Sequence, residues 1–298
     1  MIKEGVFMVL SYENLIKNHP CFTQGVKNNK GRVHLPVSFG CNIFCNFCKR
    51  DINDSENRPG VARGIITPEE AVEVVRRAIL LCSDITVAGV AGPGDSLATP
   101  YALETFRMIK KEFPHLIKCM STNGLLLPKF ADEIIEVGID SLTVTVNSID
   151  TKIQAQISEK IIYQGKSYTG EEAAEILIHN QLAGIKQVAK AGITVKVNTV
   201  LIPEINGEHI KKLAKTVAEH GAKLYNIIPL IPQHKLSWCS VPTCHQISRS
   251  RAEAEAYINV FRHCQRCRAD AAGIPGGKDV SKLLYLRPVQ LENTFSHG

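Results

Sequence analysis

Three cysteines, Cys41, Cys45 and Cys48, stand in the run GCNIFCNFC with the spacing C-x3-C-x2-C. Such a triplet reads as an iron–sulfur cluster site, a zinc site or scattered reduced thiols. The usual structural zinc pattern pairs two separate C-x2-C knuckles, and this compact triplet is not of that form. Three thiolates are one short of the four that normally close a [4Fe–4S] cluster. A cluster held this way keeps one iron open for a ligand that is not protein.

A triplet of this kind needs a frame. Six β-rich segments, Arg32–Ser38, Ile85–Val90, Ile117–Ser121, Ser141–Val146, Thr194–Leu201 and Leu224–Pro229, alternate with stretches of helical period. That alternation argues for βα units around a parallel sheet. One helix start is explicit: Thr67 caps, Pro68 takes the first helical position, and Glu69 and Glu70 sit at the positive end of the dipole. Ala71–Cys82 then carries Val72, Val75, Ala78, Ile79 and Cys82 on one stripe. Glu171–Ala191 and Glu208–His220 read the same way, and Ser248–Gly298 reads as a helix followed by an irregular tail. The predicted fold is α/β, a partial (β/α)6 TIM-like barrel. Barrels of this kind carry their active sites at the C-terminal ends of the strands. Cys41 follows the first expected strand by three residues, so the triplet belongs at that end.

Other polar motifs recur at matching strand ends. After the second strand comes GVAGPGDSL, with Gly89, Gly92, Gly94 and Asp95, where glycines let a ligand approach the backbone closely. After the third comes STNG, with Ser121, Thr122 and Asn123. The fourth ends in Asn147 and the fifth carries Asn198. Singly these are ordinary turn residues; together they suit ribose and carboxylate recognition. Of the remaining cysteines, Cys21 lies in NHPC, Cys119 on the third strand, and Cys264 with Cys267 in HCQRCRAD, a C-x2-C pair expected at a helix end. Cys82 reads as a small buried hydrophobe. Cys239 and Cys244 fall in an expected loop, with ligand and bystander both open.

Bulk properties narrow the class. The chain has 298 residues, a net charge of +6 and 44% hydrophobic residues, ordinary for a globular protein. A diffuse positive charge favours anionic ligands. No basic block with interleaved aromatics points to nucleic acid. Ten cysteines in a chain of this length do not make a small disulfide scaffold. The start, MIKEGVFMVLSYENL, shows no signal-peptide cleavage pattern, and no apolar run is long enough to span a bilayer. The expectation is a protein of the reducing cytoplasm.

The triplet, with Phe47 just before its last cysteine, resembles the signature of the radical S-adenosylmethionine (SAM) enzymes. That resemblance implies a [4Fe–4S] cluster whose open iron chelates SAM, and a glycine-rich strand end that meets the amino group of SAM. More specifically, the runs HPC, GRVHLPVSFGCNIFCNFCKR, ENRPGV, VAGPGDSLA, CMSTNGLLLP, LTVTVNSID, VKVNTVLIP, NIIPLIP and HCQRCRADAAG resemble, in order, the NifB family of nitrogenase iron–molybdenum cofactor maturases. They span residues 19 to 273, and the chain is similar to the short form without a NifX-like domain. The resemblance implies a SAM-dependent, lyase-like enzyme that fuses two [4Fe–4S] substrate clusters, K1 and K2, around a SAM-derived carbide into an eight-iron precursor. It implies that Cys41, Cys45 and Cys48 hold the SAM-binding cluster. Cys21 and Cys119 would bind K1 with a histidine, His34 or His19, and Cys264 and Cys267 would bind K2. Glu56 matches an acidic residue near the family's active site, where it handles protons or orients SAM, and Arg58 is placed to pair with it. Gly89, Gly92, Gly94, Asp95, Ser121, Asn123, Asn147 and Asn198 would serve SAM. The implied organisation is a cluster-binding extension over residues 1–31, a radical SAM barrel over 32–235 and a second extension over 236–298. Implied partners are SAM, iron–sulfur cluster donors, a downstream cofactor-assembly scaffold and an electron donor such as ferredoxin or flavodoxin.

One departure stands out. Between Cys48 and RPG the family often has a further cysteine, whereas this chain has KRDINDSENRPG. Cys244, Cys239 or Asp54 are candidates to replace that K2 ligand; the alternative is that Cys264 and Cys267 hold K2 with a weaker or exogenous third ligand. An alternative function is a radical SAM enzyme acting on an organic substrate with auxiliary clusters. A third is an iron–sulfur carrier without catalysis. The thiols scattered over several elements argue against the second, and the open iron with its strand-end motifs against the third.

Overall fold

The computed structural model of the chain describes residues 10–23 and 29–285. Expectations for residues 1–9, 24–28 and 286–298 lie outside those ranges.

Six parallel strands, Gly31–His34, Ile85–Val90, Ile117–Thr122, Ser141–Thr145, Thr194–Leu201 and Leu224–Pro229, pair in sequence order. Between and after them run the helices Pro68–Leu81, Tyr101–Glu112, Leu127–Val137, Gly170–Lys190, Ile210–Glu219 and Cys244–Glu255. This is the expected partial barrel. Two short strands extend the sheet: Asn259–Val260 beside Leu224–Pro229, and Ala272–Gly273 antiparallel to Gly31–His34. Strand side chains alternate between faces. Val33, Ala88, Val90, Met120, Leu142, Val144, Val195 and Val197 are buried in the main hydrophobic core. Their neighbours His34, Gly89, Cys119, Ser121, Thr143, Thr145, Lys196 and Asn198 line a cavity. The floor, near the N-terminal ends of the strands, is apolar. There Leu15 and Phe22 pack with Val87, Ile117, Leu224 and Phe261.

The helix over Pro68–Leu81 forms for the reasons its sequence states. Thr67 and Glu70 make a reciprocal capping box, and Ala71, Val72, Val75 and Ala78 are buried. Cys82 is the C-cap, 2% exposed within the core.

Several boundaries differ from the expectation. The first strand ends at His34, because Pro36 has no N–H to continue the ladder. Leu35 donates once more to Gly89, and a single bridge joins Ser38 to Pro93. Cys41 is therefore separated from the strand by the irregular stretch 35–40 rather than by three residues. Ile43–Cys45 is itself a strand, paired with a hairpin, Ser158–Tyr163 and Lys166–Thr169, that the sequence reading did not separate from its surroundings. The hairpin turns on Gln164 and Gly165, both at positive φ, as a two-residue turn of this kind demands. The expected helix Glu208–His220 divides into a 3-10 turn, Gly207–His209, and Ile210–Glu219. The last long helix starts at Cys244, four residues before Ser248, under a Thr243–Gln246 capping box. Cys264 and Cys267 lie at no helix end. They follow Asn259–Val260 in irregular backbone, with Arg266 between them at φ 49°. No described helix is long and apolar enough to cross a membrane.

Candidate functional site

One cavity of about 350 Å³ opens inside the barrel. Cys41, Cys45 and Cys48 line it together with Cys21, Cys119, Cys264 and Cys267, and with His19 and His34. The thiols thus come from the N-terminal segment, the loop after the first strand, the third barrel strand and the C-terminal segment. Among the described residues, no three Cys, His, Asp or Glu side chains converge on a single-ion site. A cubane distributes its thiolates over separate irons, so its ligands need not meet at one point.

The triplet is held by backbone. The Gly94 N–H donates to the Ser38 carbonyl and the Asp95 N–H to the Gly40 carbonyl, each at 2.8 Å. The Ser38 hydroxyl donates to the Asp95 carbonyl at 2.6 Å. The glycine-rich loop is thereby laid against the segment that leads into Cys41. Asp95 is buried, and its carboxylate accepts from Leu97 N–H, the Thr122 hydroxyl and Asn123 N–H. Burial pushes its pKa up against the pull of those donors. The Asn123 amide donates to Asn42 Oδ1 at 2.7 Å, beside Cys41. Arg50 donates to the Phe39 carbonyl and lies 5.3 Å over the Phe39 ring. Burial pushes the Cys41 thiol up to about 12 and the Cys45 thiol well above its ordinary range, with Cys48 and Cys41 adding to the rise at Cys45. Cys48 is raised by burial and opposed by Arg50 and Arg58. Buried thiols in mutual repulsion become thiolates only when a cationic metal centre joins them. The donor set therefore fits an iron–sulfur cluster with one iron left open.

Cys21 and Cys119 pack against the floor cluster that holds Phe22, Val87 and Phe261. Burial pushes Cys21 up to about 12 and raises Cys119, while the Lys196 ammonium pulls both down. The two histidines here differ in tautomer. His34 Nδ1 lies 3.2 Å from the Arg268 carbonyl, which can only accept, so Nδ1 carries the proton and Nε2 keeps its lone pair. His19 Nδ1 instead accepts from Cys21 N–H at 3.1 Å, which puts the proton of the neutral ring on Nε2, a buried atom without a partner. Burial holds His19 well below the usual imidazole range, and holds His34 down to about 4, so both rings are neutral.

At the C-terminal wall, Arg32 donates to Cys267 Sγ at 3.0 Å and to the Gly273 carbonyl at 2.6 Å. The fully buried Asp270 pairs with Arg268 at 2.8 Å and Arg63 at 3.0 Å. Arg268 also donates to the Glu56 and Asn53 carbonyls, tying the 53–56 loop to the segment that carries Cys267. Glu56 and Arg58 form a two-pronged pair at 3.0 and 2.9 Å, and Arg58 donates to the Lys49 carbonyl next to Cys48. The Arg58 partner and Asn53 hold the Glu56 carboxyl below its ordinary value. Neither residue lines the cavity, whose wall here is Pro59 and Gly60.

Gly89, Gly92, Gly94, Asp95, Ser121, Asn123 and Asn198 all line the cavity. Asn147 is not brought there. Its Oδ1 accepts from Val200 N–H at 2.9 Å and its carbonyl accepts from Asn206 at 3.0 Å, so it fastens two strand ends together. None of the three candidate replacements for the missing cysteine lines the cavity. Asp54 pairs with Arg63 at 2.7 Å, Cys239 is buried among Ile157, Ile202 and Leu236, and Cys244 is exposed. Sequence reading missed Arg32, Lys196 and Asn226. The signal for Lys196 was present: in VKVNTVL it shares the inward alternation with Asn198.

Comparison with known proteins agrees with this geometry. Residues 35–217 match the radical SAM superfamily. The chain is 44% identical to the FeMo cofactor biosynthesis protein NifB of Methanocaldococcus infernus, over 92% of this chain and 91% of that one. It is 44% identical to the protein of the same name from Methanocaldococcus jannaschii, over 88% of each chain. The namesake from Azotobacter vinelandii is 37% identical over 88% of this chain, and the chain spans 53% of its length. Among solved structures, a radical SAM methyltransferase from Sphaerobacter thermophilus superposes with a TM-score of 0.58 at 18% identity, over 79% of this chain and 66% of that one. Streptococcus suis SuiB bound to S-adenosylmethionine gives 0.53 at 13% identity, over 77% and 49%. These two likenesses concern the fold.

Proposed function

The chain belongs to the radical SAM superfamily and within it to the NifB family, and from that premise we propose that it is a cofactor maturase which fuses two [4Fe–4S] substrate clusters, with insertion of a SAM-derived carbide, into an eight-iron precursor of the nitrogenase cofactor. Cys41, Cys45 and Cys48 hold the resident cluster and leave its fourth iron to SAM. That cluster would supply the electron for reductive cleavage of SAM when both are bound. The protein supplies orientation. Gly92 and Gly94 let the backbone close on the SAM side, Asp95 braces that loop, and Asn123 stands between it and Cys41. Glu56 acts through Arg58, whose bond to the Lys49 carbonyl fixes the backbone beside Cys48.

The two substrate clusters take the remaining thiols. Cys21 and Cys119 hold one, and His34 is its third ligand, because the bond from Nδ1 to the Arg268 carbonyl leaves Nε2 free to bind iron. His19, with the proton on Nε2, is a hydrogen-bond donor to that cluster rather than a ligand. Cys264 and Cys267 hold the other, with Arg32 donating to Cys267 Sγ. Its third position is filled from outside the protein. Residues 1–31 and 236–298 serve as the extensions that carry substrate to the barrel over 32–235. A low-potential electron carrier and a cofactor-assembly scaffold are the partners this reaction requires.

The observation that carries the reading is that four thiols beyond the triplet, from three separate segments, line the same cavity as the SAM-side loop. An organic substrate calls for no such thiols. Iron and sulfide analysis after anaerobic reconstitution tests it. Three cubanes give about twelve irons per chain, whereas the SAM cluster alone gives about four; auxiliary clusters of an organic-substrate enzyme would stay separate cubanes on turnover with SAM, whereas two substrate clusters would fuse.

A further inference from the structure

The cavity floor carries a cation that meets two aromatic rings but, among the described residues, no anion. Lys196 points inward from the strand Thr194–Leu201, is 6% exposed and lines the cavity. Its Nζ lies 5.1 Å from the centroid of Phe22 and 5.6 Å from that of Phe261. Among the described residues, no carboxylate pairs with it and no acceptor takes a hydrogen bond from it. Lys118, equally buried, is bound in the ordinary way by Asp140 at 3.0 Å and the Leu116 carbonyl at 3.2 Å. A buried ammonium is costly unless it is paired. Two aromatic faces hold it in place but leave its donors unmet.

An anion therefore belongs above Lys196, and its surroundings say which kind. Cys21 and Cys119 pack against the same cluster as Phe22 and Phe261, the two rings that hold this ammonium, and they line the cavity with it. Lys49, Arg50 and Arg266 also line the cavity, and the one carboxylate among the described lining residues, Asp95, is already fully engaged by its own donors. A carboxylate or phosphate ligand would explain the charge but not the thiols. A thiolate-bound iron–sulfur cluster is a polyanion whose sulfides accept hydrogen bonds. We infer that Lys196 is a substrate-binding residue whose ammonium donates to a sulfide of the cluster held by Cys21 and Cys119 and offsets that cluster's negative charge. This rests on the maturase reading above. It assigns a seat to one of the two substrates: the floor of the barrel, over Phe22 and Phe261.

The test uses the full chain, reconstituted anaerobically without SAM, as wild type, Lys196→Met and Lys196→Arg. The kinetics of iron loss to a chelator are followed, with circular dichroism as the check on folding. Lys196→Met is expected to lose one cluster's worth of iron, about four of twelve, at least about tenfold faster than wild type. Lys196→Arg, which keeps the charge and the donors, is expected to stay within about twofold. Should the Met variant fail to fold, Lys196→Gln is measured in its place. A folded uncharged variant that releases iron at the wild-type rate, or an Arg variant as leaky as the Met variant, overturns the assignment while leaving the maturase reading intact. A wild-type chain that takes up only about four irons overturns the maturase reading, and the role of Lys196 with it.

Discussion

Gly94 is the position where the smallest possible change should have the largest local consequence. A Cβ built there would lie 2.5 Å from the Phe39 carbonyl carbon, and closer still to the carbonyl oxygens of Phe39 and Gly40, where real contacts essentially never fall below 3.0 Å. Every one of these atoms is backbone, so no side chain can rotate away. The loop and the 38–40 segment must part by at least about half an ångström, in the range of overpacking costs of about 1–3 kcal/mol. That separation strains the Gly94–Ser38 and Asp95–Gly40 hydrogen bonds and moves the backbone immediately before Cys41. Because misplacement of about 1 Å costs about a hundredfold in rate, Gly94→Ala should reduce 5′-deoxyadenosine formation by about ten- to a hundredfold while the chain stays folded. The control is Gly207→Ala, where a Cβ meets nothing within 4 Å and stability should be unchanged or slightly raised. The assay is reductive SAM cleavage on reconstituted protein, with urea denaturation alongside. Wild-type cleavage by Gly94→Ala would refute the claim that this backbone contact positions the triplet.

Asn147→Ala should cost about 1–3 kcal/mol in urea unfolding by orphaning the partly buried Val200 N–H, yet leave SAM cleavage at the wild-type rate where the chain is folded; a selective loss of cleavage would restore Asn147 to the site. The Glu56–Arg58 pair should respond to acid in a definite direction. Its folded pKa is lowered from 4.5, so its contribution is present above that value and lost as pH falls through the lowered one. Amide hydrogen exchange across residues 49–60, corrected for intrinsic rate, should therefore accelerate as pH falls below 4.5 in wild type and show no such step in Glu56→Gln.

The barrel was legible because its signals are local and redundant. Six β-rich runs alternate with helical period, and the Thr67–Glu70 box marks a helix start by residue type alone. The chemistry of the triplet was legible from spacing. Pro36 was visible but underweighted, and the first strand accordingly ends early. The hairpin around Gln164 and Gly165 was not legible, because IIYQGKSYT borders directly on a helical pattern and its partner strand, Ile43–Cys45, lies more than a hundred residues away. Asn147 and Asn198 look alike in sequence, each near the end of a strand. Only the chain crossing at Asn206 decides that one fastens the backbone while the other faces the cavity. Arg32 and Lys196 were missed for a related reason: a charged residue within a strand is read as edge or surface until the curvature of the open sheet turns it inward.

Anaerobic reconstitution with iron and sulfide, followed by reduction in the presence of SAM labelled in its methyl group, tests the central claim most directly. The account predicts formation of 5′-deoxyadenosine together with label that stays with a cluster after SAM and its small-molecule products are removed by anaerobic desalting. Formation of 5′-deoxyadenosine with no label entering any cluster would contradict it.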